Sequence, residues 1–245
     1  MTGDPARRQS RLSVEDVAVS FGGVHALKGV SFALNAGEIF GLIGTNGAGK
    51  STIINAISGF TRPDAGRIAL DGKSLVGLGP ERIARAGVVR SFQGVRLFGR
   101  LTVRDNVAAA GAVVGAARAE IDDCLSTMGL EDVHHRIAQE LPYAVQRRLA
   151  MARALVLRPR VLLLDEPAAG MTEDEVGDLG RTLTALRESR DVALLLVEHN
   201  MSIVMSVCDR IAVMDNGATI AAGRPAEVRA DPRVLAAYLG HREPA

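Results

Sequence analysis

The 245-residue sequence predicts an α/β fold: a mainly parallel sheet covered on both faces, preceded by short strands and interrupted by a helical segment. Three observations predict it. Continuous apolar runs at Ile39–Ile43, Val161–Leu164 and Val192–Val197 have the composition of strands buried on both sides. An amphipathic stretch, Glu173–Glu188, separates the last two as a crossover helix would. Between Leu101 and Leu157 strand-like runs disappear and Ala, Leu and Arg dominate.

The elements follow in chain order. Met1–Arg11 carries Arg7, Arg8 and Arg11 but no apolar run after them, so it reads as a frayed tail rather than a secretory leader. Strands are expected at Leu12–Ser20, Val30–Leu34, Ile39–Ile43 and Arg67–Leu70, with turns at Asn35-Ala36-Gly37 and Asp71-Gly72. One helix, about Lys50–Ser58, interrupts them. In the middle segment the spacing of Leu141, Leu149, Met151, Ala154 and Leu155 suits helices. After the strand at Val161 and the helix at Glu173 come the strand at Val192 and a helix over Met201–Val207. Strands at Arg210–Met214 and Thr219–Ala222 flank Asn216-Gly217, and a last helix covers Pro232–Leu239. One domain is expected over residues 12–240, with the helical segment, about 95–157, inserted in its α/β core.

Composition bounds the function. Apolar residues make up 47% and charged residues 23%, which excludes wholesale disorder. No charge-free stretch reaches the roughly 18 apolar residues of a membrane span; Val107–Ala117 stops short. Twenty-nine basic against 28 acidic residues leave +1, without the basic footprint of a nucleic-acid binder. Cys124 and Cys208 have no partner at metal-ligand spacing and suit a reducing compartment, so a soluble cytoplasmic protein is expected. Lysine occurs only at 28, 50 and 73, so a lysine in a special place is informative.

Lys50 is in such a place. Gly44-Thr45-Asn46-Gly47-Ala48-Gly49-Lys50-Ser51 fits G-x-x-x-x-G-K-[ST], follows an apolar strand and opens a helix. Glycines let backbone N–H groups curl around phosphate, and the helix N-terminus adds partial positive charge. Lys50 supplies a cation for the β- and γ-phosphates, and the Ser51 hydroxyl a ligand for Mg²⁺. The bland reading is a glycine-rich turn of structural use. Val161-Leu162-Leu163-Leu164 then delivers Asp165-Glu166 to the carboxyl end of a buried strand, where open α/β sheets bind ligands. Asp165 suits Mg²⁺ and Glu166 suits polarising an attacking water. A solvated acidic pair is the competing reading.

With these two motifs on one chain, residues 12–240 resemble an ATP-binding cassette (ABC) ATPase. The resemblance implies a P-loop NTPase cassette with an N-terminal antiparallel β subdomain and an inserted α-helical subdomain, binding ATP and Mg²⁺. It extends the nucleotide site to Thr52 and assigns Phe21 to stacking on adenine, against the alternative of a strand-end core residue. Gln93, in Arg90-Ser91-Phe92-Gln93, matches the glutamine that contacts Mg²⁺ and the attacking water. His199 matches the switch histidine that contacts the γ-phosphate. His25, His134, His135 and His241 match nothing and are expected in solvent. The stretches Phe21-Gly22-Gly23, Arg90–Phe98, Leu101–Asn106, Asp165–Gly170, Glu198–Met201 and Ala237–Gly240 are similar to the ATPases of branched-chain amino-acid importers. Cassettes for urea, amides or lipopolysaccharide share some of these motifs.

One part of the pattern breaks. The signature loop, which caps the nucleotide of the opposite subunit, reads Leu141-Pro142-Tyr143-Ala144-Val145 in place of Leu-Ser/Ala-Tyr-Gly-Gln. Pro142 lacks both hydroxyl and N–H but is comfortable at a first helical position. Ala144 adds bulk and Val145 loses an amide. Thr172 stands where an acidic or amide residue is usual. The resemblance implies permease subunits at the cytoplasmic face of the membrane and a second ATPase subunit, with no nucleic acid. The damaged loop favours a heterodimer over a homodimer, and leaves open a regulatory cassette that holds ATP with little turnover.

Overall fold

The computed structural model describes residues 10–91 and 94–239. Two sheets form. The first is antiparallel: β1 (Ser10–Phe21), β2 (Val24–Asn35), β4 (Ala65–Leu70) and β5 (Lys73–Ser74) lie in the order β2-β1-β4-β5. The second holds β3 (Ile39–Gly44), β6 (Val88–Ser91), β7 (Val161–Asp165), β8 (Ala193–Val197), β9 (Arg210–Asp215) and β10 (Ala218–Gly223) in the order β10-β9-β3-β8-β7-β6. Its strands are parallel except β10, which returns antiparallel beside β9 through the Asn216-Gly217 turn. Both turn residues have positive φ, 47° and 80°, as the primed hairpin turns require. The mainly parallel sheet and the antiparallel sheet ahead of it are as expected.

Register follows from burial. Every residue of β3, β7 and β8 is buried, so each strand needs apolar side chains on both faces. Ile39, Ile43, Leu162, Leu164, Leu194 and Leu196 point into one core with the helices. Phe40, Leu42, Leu163 and Leu195 point into a second, with α1 (Lys50–Ile57) and the antiparallel sheet. The period-two alternation of a strand produces this division. Phe32 of β2 stacks on Phe40 of β3 at 5.3 Å and fastens one sheet to the other.

The middle segment is helical: α3 (Val103–Gly111), α4 (Arg118–Thr127) and α5 (Tyr143–Leu155) pack on the first core. α6 (Glu173–Ser189) buries Val176, Leu179, Leu183 and Leu186 at helical spacing. α7 (Met201–Val207), α8 (Pro225–Ala230) and α9 (Pro232–Leu239) complete the chain.

Some boundaries move. β1 begins at Ser10, taking in the last two residues of the expected tail, and Arg11 reaches Asp191 at 2.7 Å and Asp71 at 3.6 Å. β2 starts at Val24 rather than Val30, because pairing with β1 tolerates register shifts along its length. Helices α2 (Pro80–Ala86) and α8 and strands β5 and β6 were not expected. Pro142 is the N-cap of α5, one position ahead of the first helical turn.

Candidate functional site

The site is built at the carboxyl ends of three adjacent parallel strands. β3 ends at Gly44 and opens into the glycine-rich loop; β7 ends at Asp165; β8 ends at Val197, two residues before His199. Asp165 is in register with Val197, so the acidic pair and the histidine loop leave the sheet together. This is where open α/β sheets bind ligands.

Close backbone packing shapes the loop. Gly49 has φ +99°, and a Cβ there would lie 2.8 Å from the Ala26 carbonyl and from Leu27 Cδ2. The Gly217 turn closes over it: Gly217 N–H donates to Ala48 O at 3.1 Å, and Lys28 N–H donates to Gly217 O at 2.8 Å. Lys50 Nζ donates to the carbonyls of Gly44 (2.7 Å) and Thr45 (2.9 Å). Thr45 Oγ1 donates to Asp215 Oδ1 at 3.2 Å. Asn46 and Gly47 are exposed at the tip, Ala48 is buried beneath, Ser51 is exposed on the first turn of α1, and Thr52 is half-buried.

Burial lowers the Lys50 pKa, and the charges of Glu166 and then Asp165 oppose that shift. The lysine and the two carboxylates therefore share one electrostatic site. Glu166 sits at φ +49°, a left-handed conformation a glutamate adopts only when its surroundings impose it. Its N–H donates to Val197 O at 2.8 Å, and its Oε1 is 3.8 Å from His199 Nδ1. The side chains are partly open, at 25% for Glu166 and 60% for His199.

Asp165 is nearly buried and its Oδ2 accepts from Arg90 Nη2 at 2.6 Å; Arg90 Nη1 donates to Asn55 Oδ1 at 2.7 Å. A carboxylate and a serine hydroxyl are the hard oxygen donors that Mg²⁺ prefers, so Asp165 and Ser51 fit that ion by chemistry. Gln93 lies outside the described residues. Phe21 ends β1 opposite Val24 and is 54% exposed, so it is not a core residue.

The signature loop lies at the start of α5. Leu141 is buried, while Tyr143 is 46% exposed with the Arg147 guanidinium 5.0 Å from its ring centroid. Pro142 O accepts from Gln146 N–H at 3.0 Å, and Gln146 Nε2 donates to Leu141 O at 2.9 Å, so helix start and loop are pinned together. Ala144 and Val145 are half-buried, and Val145 packs on the helical core. Thr172 caps α6: its Oγ1 accepts from Glu175 N–H while Thr172 N–H donates to Glu175 Oε2 at 2.9 Å. That reciprocal capping is a role threonine fills as an acidic or amide residue would.

Sequence reasoning missed Arg90 and Asn55 as partners of Asp165, Asp215 as the partner of Thr45, and Glu198. Glu198 is wholly buried and accepts from three backbone N–H groups: Ala168 (2.7 Å), His199 (3.1 Å) and Asn200 (3.3 Å). A carboxylate directly after the unbroken apolar run Val192–Val197 is the signal that was available.

The family profile described as "ABC transporter" matches residues 27–169, and that described as "Branched-chain amino acid ATP-binding cassette transporter" matches residues 218–244. The chain belongs to the ABC transporter family of ATP-binding proteins. It is 41% identical over 251 residues to the high-affinity branched-chain amino acid transport ATP-binding protein LivG of Escherichia coli, covering 95% of this chain and 98% of that one. It is 39% identical over 248 residues to BraF, the corresponding protein of Pseudomonas aeruginosa, covering 94% and 97%. Among solved structures, the ADP conformation of an ATP-binding cassette of an ABC transporter superposes with a TM-score of 0.87 at 30% identity, covering 95% of this chain and 99% of that one. A nucleotide-free cassette gives 0.85 at 29%, covering 94% and 98%. The fold is thus that of an ABC ATPase cassette, a domain of nucleotide-binding proteins. No helix among the described residues is long and apolar enough to cross a membrane.

Proposed function

We propose that this chain hydrolyses ATP as the motor subunit of a membrane importer for branched-chain or related amino acids, held at the cytoplasmic face by permease subunits. The observation that carries the reading is the convergence of Lys50, Asp165, Glu166 and His199 at the ends of β3, β7 and β8. Lys50 and the N–H groups of residues 44–52 bind and neutralise phosphate. Ser51, Asp165 and Gln93 hold Mg²⁺, which when bound supplies charge stabilisation to the phosphoryl group. Glu166 accepts a proton from the attacking water, and His199 donates toward the γ-phosphate. Phe21 offers a stacking face to adenine. We take residues 12–240 as the cassette, with about 95–157 as its helical subdomain.

The substrate class rests on similarity to LivG and BraF. Permease docking is favoured by a cleft between β6 and the helices, lined by Val89, Arg90, Arg96, Ala110, Arg153 and Leu157. Arg153 lies 4.7 Å over the half-exposed Phe98 ring at its rim.

The loop Leu141–Val145 favours a heterodimer: this chain supplies an intact hydrolytic set and takes its signature from a partner ATPase subunit. The same loop supports a second reading, a cassette that holds ATP with little turnover. Steady-state hydrolysis by the purified chain over a concentration series, with Glu166→Gln as blank, separates them. Cooperative turnover by the chain alone sinks the heterodimer. No turnover alone, but turnover after co-expression with the neighbouring subunits, is the expected result; none in either case leaves the regulatory reading.

A further inference from the structure

We propose that Glu198 is a positioning residue: its carboxylate clamps the segment after Glu166 to the loop bearing His199 and so fixes the separation of that pair. The proposal rests on the hydrolytic roles given above to Glu166 and His199, and adds a residue to which nothing in the motifs assigns a part.

Its side chain is 0% exposed, and its two oxygens serve different loops. Oε1 accepts from the N–H of Ala168, two residues beyond Glu166, at 2.7 Å. Oε2 accepts from the N–H groups of His199 (3.1 Å) and Asn200 (3.3 Å). His199 Nδ1 is 4.0 Å away, beyond hydrogen-bonding distance. A buried carboxylate is tolerated only when its lone pairs are taken up, and here backbone donors take them up. Leucine, threonine or an amide at this position offers no acceptor at both ends.

The clamp completes a bracket around a strained turn. Glu166 holds φ +49°, and on its N-terminal side its own N–H is fixed to Val197 O at 2.8 Å. On the C-terminal side Glu198 supplies the matching restraint through Ala168. The same carboxylate sets the backbone of His199, whose ring faces Glu166 Oε1 at 3.8 Å. One buried side chain thus governs both members of the pair without touching either functional group.

Glu198→Gln tests it, because the amide keeps the shape but accepts at one end only and turns an NH₂ toward N–H donors at the other. In the complex co-purified with its other subunits, kcat should fall about 10–100-fold with KM changed less than about threefold. In a His199→Ala background the same substitution should cost less than about threefold more, since the clamp no longer has a pair to set. Glu198→Asp keeps charge and both acceptors but is one methylene shorter, so it should give an intermediate kcat. Amide exchange on the full chain should quicken at Ala168 or at His199 and Asn200, leaving Gly47 and Gly49 unchanged. Unchanged kcat in Glu198→Gln, a fully multiplicative loss with His199→Ala, or wild-type kcat in Glu198→Asp overturns the clamp. If the wild-type complex shows no turnover above Glu166→Gln, the hydrolytic reading has failed; the exchange measurement then decides the clamp alone, and equal protection in wild type and Glu198→Gln rejects it.

Discussion

Arg90 and Asp165 form an ion pair at 2.6 Å with side chains only 11% and 9% exposed, and Arg90 also donates to Asn55 Oδ1. Replacing Arg90 with methionine removes the guanidinium while leaving much of its volume. A buried carboxylate and an amide oxygen then lose their donor together. Creating the pair cost desolvation, so its net worth against an apolar pair is small; breaking one side of it is a different matter and costs about 3–5 kcal/mol. In a chain of this size each kcal/mol shifts the melting midpoint by about 2–4 °C, so Arg90→Met should melt on the order of 10 °C below wild type. Arg85 and Glu81 provide the internal control: they pair at 2.8 Å but are 72% and 78% exposed. Arg85→Met should therefore cost less than about 1 kcal/mol. The assay is urea and thermal unfolding of the nucleotide-free chain for Arg90→Met, Asp165→Asn and the double variant. A coupling of at least about 2 kcal/mol in that cycle is expected. Coupling below about 1 kcal/mol, or a control loss as large as that of Arg90→Met, refutes the reasoning.

Three further outcomes follow from features elsewhere in the chain. Restoring the signature as Pro142→Ser, Ala144→Gly and Val145→Gln should lift the purified chain from no turnover above the Glu166→Gln blank to turnover on the order of 10² above it, because one lost transition-state donor is worth about 10²–10³; turnover still at the blank would show that this loop does not limit hydrolysis. Burial pushes the Cys208 thiol from 9.0 up to about 12 and also raises that of Cys124, where burial outweighs the pull of Arg190. A thiol reagent at pH 8 should label neither in the folded chain and both after unfolding. The unfolded Cys208 thiol ionises near 9 and the folded one near 12. Its contribution to stability is therefore whole below pH 9 and is lost as pH rises from 9 to 12. Stability that is flat across that window would contradict the burial.

Legibility in the sequence tracked how local each signal was. The strands at Ile39, Val161 and Val192 announced themselves because full burial on two faces demands an unbroken apolar run, and the phosphate loop because its glycines and lysine are contiguous. β6 was missed because Val88 and Val89 are only two buried residues between Gly87 and Arg90, too short for a periodicity. β5 is two residues long and held by pairing with β4. Helix α2 buries only Ile83, so it carries almost no apolar stripe. The partners of the site residues were invisible for another reason. Arg90 meets Asp165, and Glu198 meets Ala168, only because the sheet brings distant loops together; no spacing along the chain encodes those contacts. Thr172 caps α6, as the acidic or amide residue usual there also does, so the structure gives no reason for that departure.

The alternation of side chains along β3, β7 and β8 makes the parallel sheet a wall between two separate interiors. Leu141, Leu149 and the other apolar residues of α3–α5 sit in one chamber, and the residues beneath the phosphate loop sit in the other. The two chambers share backbone hydrogen bonds but few side chains. Fluctuations that loosen the helical chamber therefore leave the floor of the phosphate loop packed. Native-state exchange should be faster in α3–α5 than in α1, with the shared amides of β3, β7 and β8 the slowest. A molecule partitioned in this way can flex on one side while its glycine-rich loop keeps its packing on the other.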